Sequence, residues 1–303
     1  QLDAARRARR VERWLQVRFP TVKALRGAAR RCARLRADEP RPGALRPVAL
    51  HEHRIAPETK FLDELGISPC GWLRVQRSED ARADGRRRTH TARELWCDVG
   101  ALRPLEREDV APVTIASVDI ECRQGADGGF PTPERDPIIC IGTVLARPGA
   151  DGFKRRRSVV HCARACAPIA GVDVRDGFES ELELLQAWRD EIVASDAAVV
   201  VGYNLWGFDY RYMTRRHNVL VEAAAHAAGA PADDLVGPDG WARHAAAPCR
   251  FPHLSQFVCE AAEAREKQLS SAAMGHNELH EILCDGRCTL DLLLYVKTNY
   301  QRS

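Results

Sequence analysis

The chain has 303 residues, 45% of them apolar and 29% charged, with a net charge of +3 at neutral pH. That length holds two domains of ordinary size, and the composition is that of a globular protein. No apolar run approaches the length of a membrane span, and the 11 Cys, odd in number, scattered and without Cys-x2-Cys pairs, suit a reducing intracellular setting better than a disulfide framework.

Charge is unevenly spread. Residues 1–110 carry 25 Lys and Arg against 16 Asp and Glu, and residues 111–303 carry 20 against 26, so the front is +9 and the rest −6. A basic front suits a polyanionic partner, although an Ala/Arg-rich composition produces the same excess. The first residues, QLDAARRARR, have no initiator Met and no apolar signal core, and the chain ends abruptly at Ser303. A fragment of a longer protein is the expectation.

Residues 1–36 are rich in helix formers, with Trp14, Val17, Val22, Leu25, Ala28 and Ala29 as an apolar stripe. Arg6–Arg10 is read as a solvated helix face, with a nuclear import signal as the alternative. Asp38–Pro47 is a Pro-rich loop. A helix is expected from Pro57 and a strand from Trp72, after the turn Ser68-Pro69-Cys70-Gly71. Arg77–His90 reads as an exposed hairpin or loop, and Leu105–Pro112 as the boundary before a second domain. The expected domains are therefore 1–110, an α+β N-terminal domain, and 111–303.

From Val113 the pattern is α/β. Val113–Glu121, VTIASVDIE, is a short buried strand; Ile115, Ser117, Asp119 and Glu121 share one face because side chains alternate. After a Gly/Pro loop, Ile138–Ala146 is the second strand, with Ile138, Cys140 and Gly142 on one face and Ile139, Ile141 and Thr143 on the other. Arg157–His161 is a third strand, preceded by the basic run Lys154–Arg157 at a turn. Phe178–Ser195 is an amphipathic helix with Leu182, Leu185, Trp188 and Ile192 buried. Ala197–Asn204 is a strand apolar enough to be buried on both faces. A helix opens at Phe208 or Asp209, Ala-rich and Pro/Gly-broken sequence fills 221–249, and Asn277–Lys297 reads as strand, turn, strand and a helix opening near Asp291.

Two elements carry chemistry. Asp119 and Glu121 project side by side from a strand end, and two such carboxylates repel unless a cation lies between them. Their hard oxygens suit Mg2+ or Mn2+, whereas two solvated acids are the plain alternative. Val201–Tyr212, VGYNLWGFDYRY, runs from strand through turn to helix start. Asp209 falls in the first helical turn, where free N–H groups and the helix dipole favour a carboxylate even without a metal. Asn204 ends the strand with an amide, and Tyr203, Trp206 and Phe208 surround it with aromatic surface. Such surface stacks single-stranded bases, or equally packs a core. Cys162-x3-Cys166 and the pair Cys284 and Cys288 are read as ordinary free cysteines.

Together these segments resemble family B DNA polymerases, in the delta-like branch that includes large DNA viruses. Ala116–Glu121 resembles the first exonuclease motif, and the segment from Phe130 to Pro137 the loop that follows it. Gly202-Tyr203-Asn204-x3-Phe208-Asp209 resembles the second motif, and Gly286-Arg287-x3-Asp291 a segment beyond it. His51–Trp72 resembles an N-terminal-domain stretch ending in Pro-x-Gly-Trp. The resemblance implies a ribonuclease-H-like exonuclease domain, a mixed sheet flanked by helices, behind the N-terminal domain. It further implies 3′→5′ hydrolysis of mispaired primer ends with two Mg2+ or Mn2+ ions held by Asp119, Glu121 and Asp209, while Tyr203, Asn204 and Phe208 grip the DNA. Asp291 is not a metal ligand in that pattern, and capping explains it.

The implied partners are primer–template DNA with its single-stranded 3′ end, deoxynucleotides in the whole enzyme, a sliding clamp and accessory subunits, with no membrane. The implied location is the nucleus or a viral replication compartment. The family's third motif, Tyr-x3-Asp, and the polymerase palm motifs do not occur in these 303 residues, so the chain alone is expected to be weakly active at best. A catalytically inactive relative serving as a structural subunit and a free-standing nuclease are the alternatives.

Overall fold

The computed structural model describes residues 21–35, 54–81, 85, 87–150, 152–230, 235–271 and 275–300. The expectations for Arg6–Arg10, for Trp14 and Val17, and for the loop Asp38–Pro47 lie outside the described residues. The chain divides into two compact units, Gln1–Ser78 with Cys97–Arg107, and Glu79–Trp96 with Glu108–Ser303.

In the first unit, α1 (Val22–Leu35) begins where the Thr21 hydroxyl accepts the Ala24 N–H at 3.1 Å. Helix α2 (Pro57–Leu65) starts on proline, whose missing N–H costs nothing there, and ends at Gly66 with φ +62°. Strand β1 (Trp72–Val75) follows. The next two strands, β2 (Glu79–Asp80) and β3 (Leu95–Trp96), pair with each other and belong to the second unit. Strand β4 (Leu102–Leu105) then returns antiparallel to β1, and the Arg107 guanidinium lies over the Trp72 ring at 4.1 Å.

The placement of Glu79–Trp96 departs from a single boundary near residue 110. Within the second unit the His90 N–H donates to Gln256 O at 2.7 Å and the Val258 N–H to Arg88 O at 2.8 Å. Such long-range backbone bonds leave no trace in local composition.

The second unit is built on a mixed six-stranded sheet. Its strands are β5 (Thr114–Cys122), β6 (Ile138–Gly149), β7 (Gly152–Cys162), β8 (Asp173–Arg175), β9 (Ala197–Gly202) and, after the separate antiparallel pair β10 (Glu263–Ser271) and β11 (Gly275–Leu283), β12 (Cys288–Asp291). The order is β12-β9-β5-β6-β7-β8. Strand β6 runs antiparallel to both of its neighbours, β5 and β7, whereas β9 runs parallel to both β5 and β12. The helices are α3 (Glu181–Ala194), α4 (Asp209–Ala227) and α5 (Leu292–Asn299).

One sheet face carries the core. Ala116, Val118 and Ile120 of β5 and Ile141 and Leu145 of β6 pack with Leu184, Leu185, Trp188 and Ile192 of α3 and Met213 of α4. Each large apolar side chain so buried contributes about 1.5–3 kcal/mol. The Trp188 indole N–H is satisfied by the Thr143 hydroxyl at 3.2 Å. Leu182, expected in this stripe, packs instead on a small satellite cluster with Val221, Ala242 and Ala247.

Several local expectations change for physical reasons. Between Glu121 and Cys122 the pairing to β6 shifts register, a bulge that breaks strict alternation. As a result Ile138 joins Ile141 in the core and Ile139 is 48% exposed, the reverse of the face expected for that pair. Strand β9 is less completely covered than expected: Ala197 and Val200 are buried, whereas Val199 and Val201 are half-buried. The basic run Lys154–Arg157 lies within β7, not at a turn; Arg157 pairs with Asp173 at 2.5 Å and Glu191 at 2.9 Å. Helix α4 also runs on to Ala227, into the Ala-rich stretch expected to be irregular.

Candidate functional site

Strand β5 buries Thr114, Ala116, Val118 and Ile120 and exposes Ser117, Asp119 and Glu121 on the opposite face. Asp119 and Glu121 therefore project from one side of the strand end, opposite Gly142 and Cys140 of β6. Their proximity registers at Cys140, whose thiol pKa is raised by burial and then by the Glu121 and Asp119 charges.

Asp209 arrives from the other side. Strand β9 pairs with β5 only as far as Ser117↔Val201, so the Ile120 N–H has no β9 partner. The Asp209 carboxylate takes that place, its Oδ1 accepting the Ile120 N–H at 3.1 Å. Helix α4 has no side-chain cap, so Asp209 bridges to β5 instead of capping its own helix. The side chain is 2% exposed, and burial pushes its pKa up to about 7, with the Asp119 and Asp291 charges adding to the effect. Among the described residues no cationic side chain pairs with Asp119, Glu121 or Asp209. Nor, among those residues, are any three His, Cys, Asp or Glu side chains already disposed as a metal-ligand set.

The turn before α4 is sterically constrained. A Cβ on Gly202 would lie 2.9 Å from Val118 O, and one on Gly207 would overlap the Asn204 amide oxygen. Asn204 itself has φ +59°, a left-handed conformation that asparagine tolerates better than most residues. Its carbonyl accepts the Gly207 N–H at 3.0 Å and the Phe208 N–H at 2.9 Å. Tyr203 is 60% exposed beside it, whereas Trp206 packs partly against the core. The Phe208 ring meets Phe130 edge-on at 5.5 Å and Tyr212 at 5.4 Å. A cleft of about 760 Å³ opens beside Phe208, lined also by Phe130, Pro133, Arg211, Tyr212 and Arg265; none of the three carboxylates lines it.

Sequence reading missed the scaffold that holds these parts. Arg216 of α4 grips Glu181 of α3 through paired contacts of 2.9 and 2.7 Å and donates to Pro133 O at 3.0 Å. Glu181 in turn accepts the Ile138 N–H at 2.9 Å, and the Tyr212 hydroxyl donates to Asp136 O at 2.7 Å. The loop after β5 is thereby fixed to both helices. Only the burial of these polar groups could have signalled this, and burial is not visible in a linear sequence.

Residues 48–233 match the family model described as DNA polymerase family B, exonuclease domain. The chain is similar to the DNA polymerase delta catalytic subunit of Mesocricetus auratus, 30% identical over 250 residues that make up 81% of this chain and 20% of that protein. It is similar also to the DNA polymerase of Paramecium bursaria Chlorella virus NY2A, 27% identical over 82% of this chain and 25% of that protein. A solved family B DNA polymerase from the hyperthermophilic archaeon Pyrobaculum calidifontis aligns at 21% identity and a TM-score of 0.39, over 85% of this chain and 24% of that one. The chain thus spans about a fifth to a quarter of the length of these curated relatives. Since the family model covers more than half of its residues, and both Ala116–Glu121 and Gly202–Asp209 fall within that match, the chain belongs to the family B DNA polymerases through their exonuclease domain.

Proposed function

We propose that this chain is the N-terminal and proofreading portion of a replicative DNA polymerase, removing mispaired nucleotides from primer 3′ ends. Asp119, Glu121 and Asp209 are the catalytic and metal-holding residues, and Tyr203, Asn204 and Phe208 bind the DNA end. The observation that carries this reading is the Asp209–Ile120 hydrogen bond, which brings the start of α4 to the end of β5 beside the two exposed acids.

The donors fit two hard divalent cations, Mg2+ or Mn2+: all three are carboxylates, none has a protein counter-charge among the described residues, and burial, with the Asp119 and Asp291 charges, raises the Asp209 pKa. When bound, such ions stabilise the negative charge that builds on phosphate oxygens during phosphodiester hydrolysis. The protein's own part is to hold Asp209 beside Asp119 and Glu121, to hold the last bases against Tyr203 and Phe208, and to fix the strand with the Asn204 amide. Primer–template DNA is the expected partner. In the whole enzyme, deoxynucleotides, a sliding clamp and accessory subunits join it, in a nucleus or a viral replication compartment. Among the described residues no helix is long and apolar enough to cross a membrane.

In the full-length protein Asp119→Ala with Glu121→Ala is expected to abolish primer-end removal and spare polymerisation. Persistent primer degradation in the double variant would refute the site assignment. The rival reading is an inactive relative used as a binding module, against which the presence of Asp119, Glu121 and Asp209 together speaks. Calorimetric titration with Mn2+ separates the two: two-ion binding lost in the double variant supports the nuclease, and no binding by the parent supports the module.

A further inference from the structure

The Gly286-Arg287-x3-Asp291 segment has no part in the nuclease reading, yet both of its charged side chains are buried, each 6% exposed. Asp291 does more than cap α5. Its Oδ1 accepts the Leu293 N–H at 2.9 Å, the helix cap, and also the Asn204 N–H at 3.0 Å. Its Oδ2 accepts the Trp206 N–H at 3.0 Å. A cap needs one acceptor; the bonds to Asn204 and Trp206 reach a separate segment of chain.

Arg287 fixes the strand that carries this carboxylate. Its Nε donates to Leu254 O at 2.8 Å and its Nη1 to Ala197 O, at the first residue of β9. Arg287 therefore ties β12 to the start of β9, and Asp291 ties it to the turn that leaves the end of β9. Between them Cys288–Asp291 pairs in parallel with Val199–Gly202.

The turn so held contains Asn204 at φ +59°. At its far side Asp209 has an anchor of its own, the Ile120 N–H. The two anchors are different groups: the Asp291 carboxylate holds the Asn204 and Trp206 amides, and the Ile120 N–H holds Asp209.

We propose that Asp291 is a positioning residue for the DNA-end grip: its carboxylate clamps the Asn204 and Trp206 amides and so orients the Asn204 side chain, while the metal-holding Asp209 is positioned separately. What Asn204 grips rests on the nuclease reading; the clamp does not.

Two substitutions in the 303-residue chain divide the roles of Asp291. Asp291→Ser keeps a short oxygen able to cap Leu293 but withdraws the acceptors from Asn204 and Trp206. Asp291→Asn keeps one oxygen and turns an amide N–H2 towards the Trp206 N–H. Amide hydrogen exchange is read at Asn204, Trp206 and α5, together with the affinity for a fluorescent 3′-tailed single-stranded oligonucleotide in calcium buffer and for Mn2+ alone.

In Asp291→Ser the Asn204 and Trp206 amides are expected to exchange at least about tenfold faster with α5 still protected. Oligonucleotide affinity should fall about tenfold, as in Asn204→Ala, and Mn2+ affinity by clearly less, any Mn2+ loss reflecting the Asp291 charge near Asp209. In Asp291→Asn only Trp206 should lose protection. Parent-like exchange at both amides in Asp291→Ser overturns the clamp, as does an equal loss of oligonucleotide and Mn2+ affinity. If Asp119→Ala with Glu121→Ala leaves Mn2+ binding intact while Asp291→Ser still frees the two amides, the nuclease reading fails and the clamp stands.

Discussion

Asp209→Asn offers the most direct probe of the site's electrostatics. The carboxyl is buried without a cation, and its pKa rises from 3.8 to about 7. A carboxyl with a raised folded-state pKa binds its proton more tightly in the folded form. Stability is therefore lost as pH rises through the window from about 4 to about 7, and the full penalty is present above it. Every tenfold gain in proton affinity is worth about 1.4 kcal/mol, so the ceiling is about 4 kcal/mol at pH 8, reduced in practice by local relaxation and water.

Asparagine keeps an oxygen for the Ile120 N–H and removes the titration. In chelator, urea unfolding should find Asp209→Asn about 2–4 kcal/mol more stable relative to the parent at pH 8 than at pH 4. Adding Mn2+ at pH 8 should stabilise the parent more than the variant, which keeps only Asp119 and Glu121 as carboxylate ligands. A parent-to-variant difference constant to within about 0.5 kcal/mol between the two pH values would refute the account of Asp209 as a buried, uncompensated acid.

Arg216→Ala should cost about 3–5 kcal/mol by urea unfolding, because Glu181, whose side chain is 10% exposed, would be left buried and unpaired. A loss below about 1 kcal/mol would show that water replaces the guanidinium. Gly202→Ala forces a Cβ to within 2.9 Å of Val118 O, so β9 must shift; about 1–3 kcal/mol of destabilisation is expected, with faster exchange of the Ile120 amide. Unchanged exchange would contradict the tight approach of β9 to β5. Asn204→Ala should weaken single-strand binding more than Mn2+ binding, and equal loss of both would count against a DNA-end role. Trp188→Ala removes a fully buried ring and should cost about 3–5 kcal/mol in the same unfolding assay, and a smaller loss would mean that α3 collapses onto the sheet.

The parts of this protein legible in the sequence are those set by local periodicity. Alternation along Thr114–Glu121 places Asp119 and Glu121 on one face, and the 3.6-residue period of α3 selects Leu185, Trp188 and Ile192 for the core. Proline at the start of α2 and the turn before β12 are readable for the same reason. The family resemblance rests on short motifs whose residues lie close together in the chain.

Tertiary structure decided whatever depends on partners distant in sequence. The bulge beside Glu121 swaps Ile138 and Ile139 between faces, which no alternation rule foresees. The polar sequence of β10, EAREKQLSS, becomes a strand because β11 offers it a hydrogen-bonding edge. Asp209 and Asp291, both placed at helix starts by local sequence, turn out to satisfy amides 89 and 87 residues away. Sequence names the chemical groups and their local direction. Which backbone amide a buried carboxylate must satisfy is settled only when folding excludes water, because an unpaired donor is then too costly to leave.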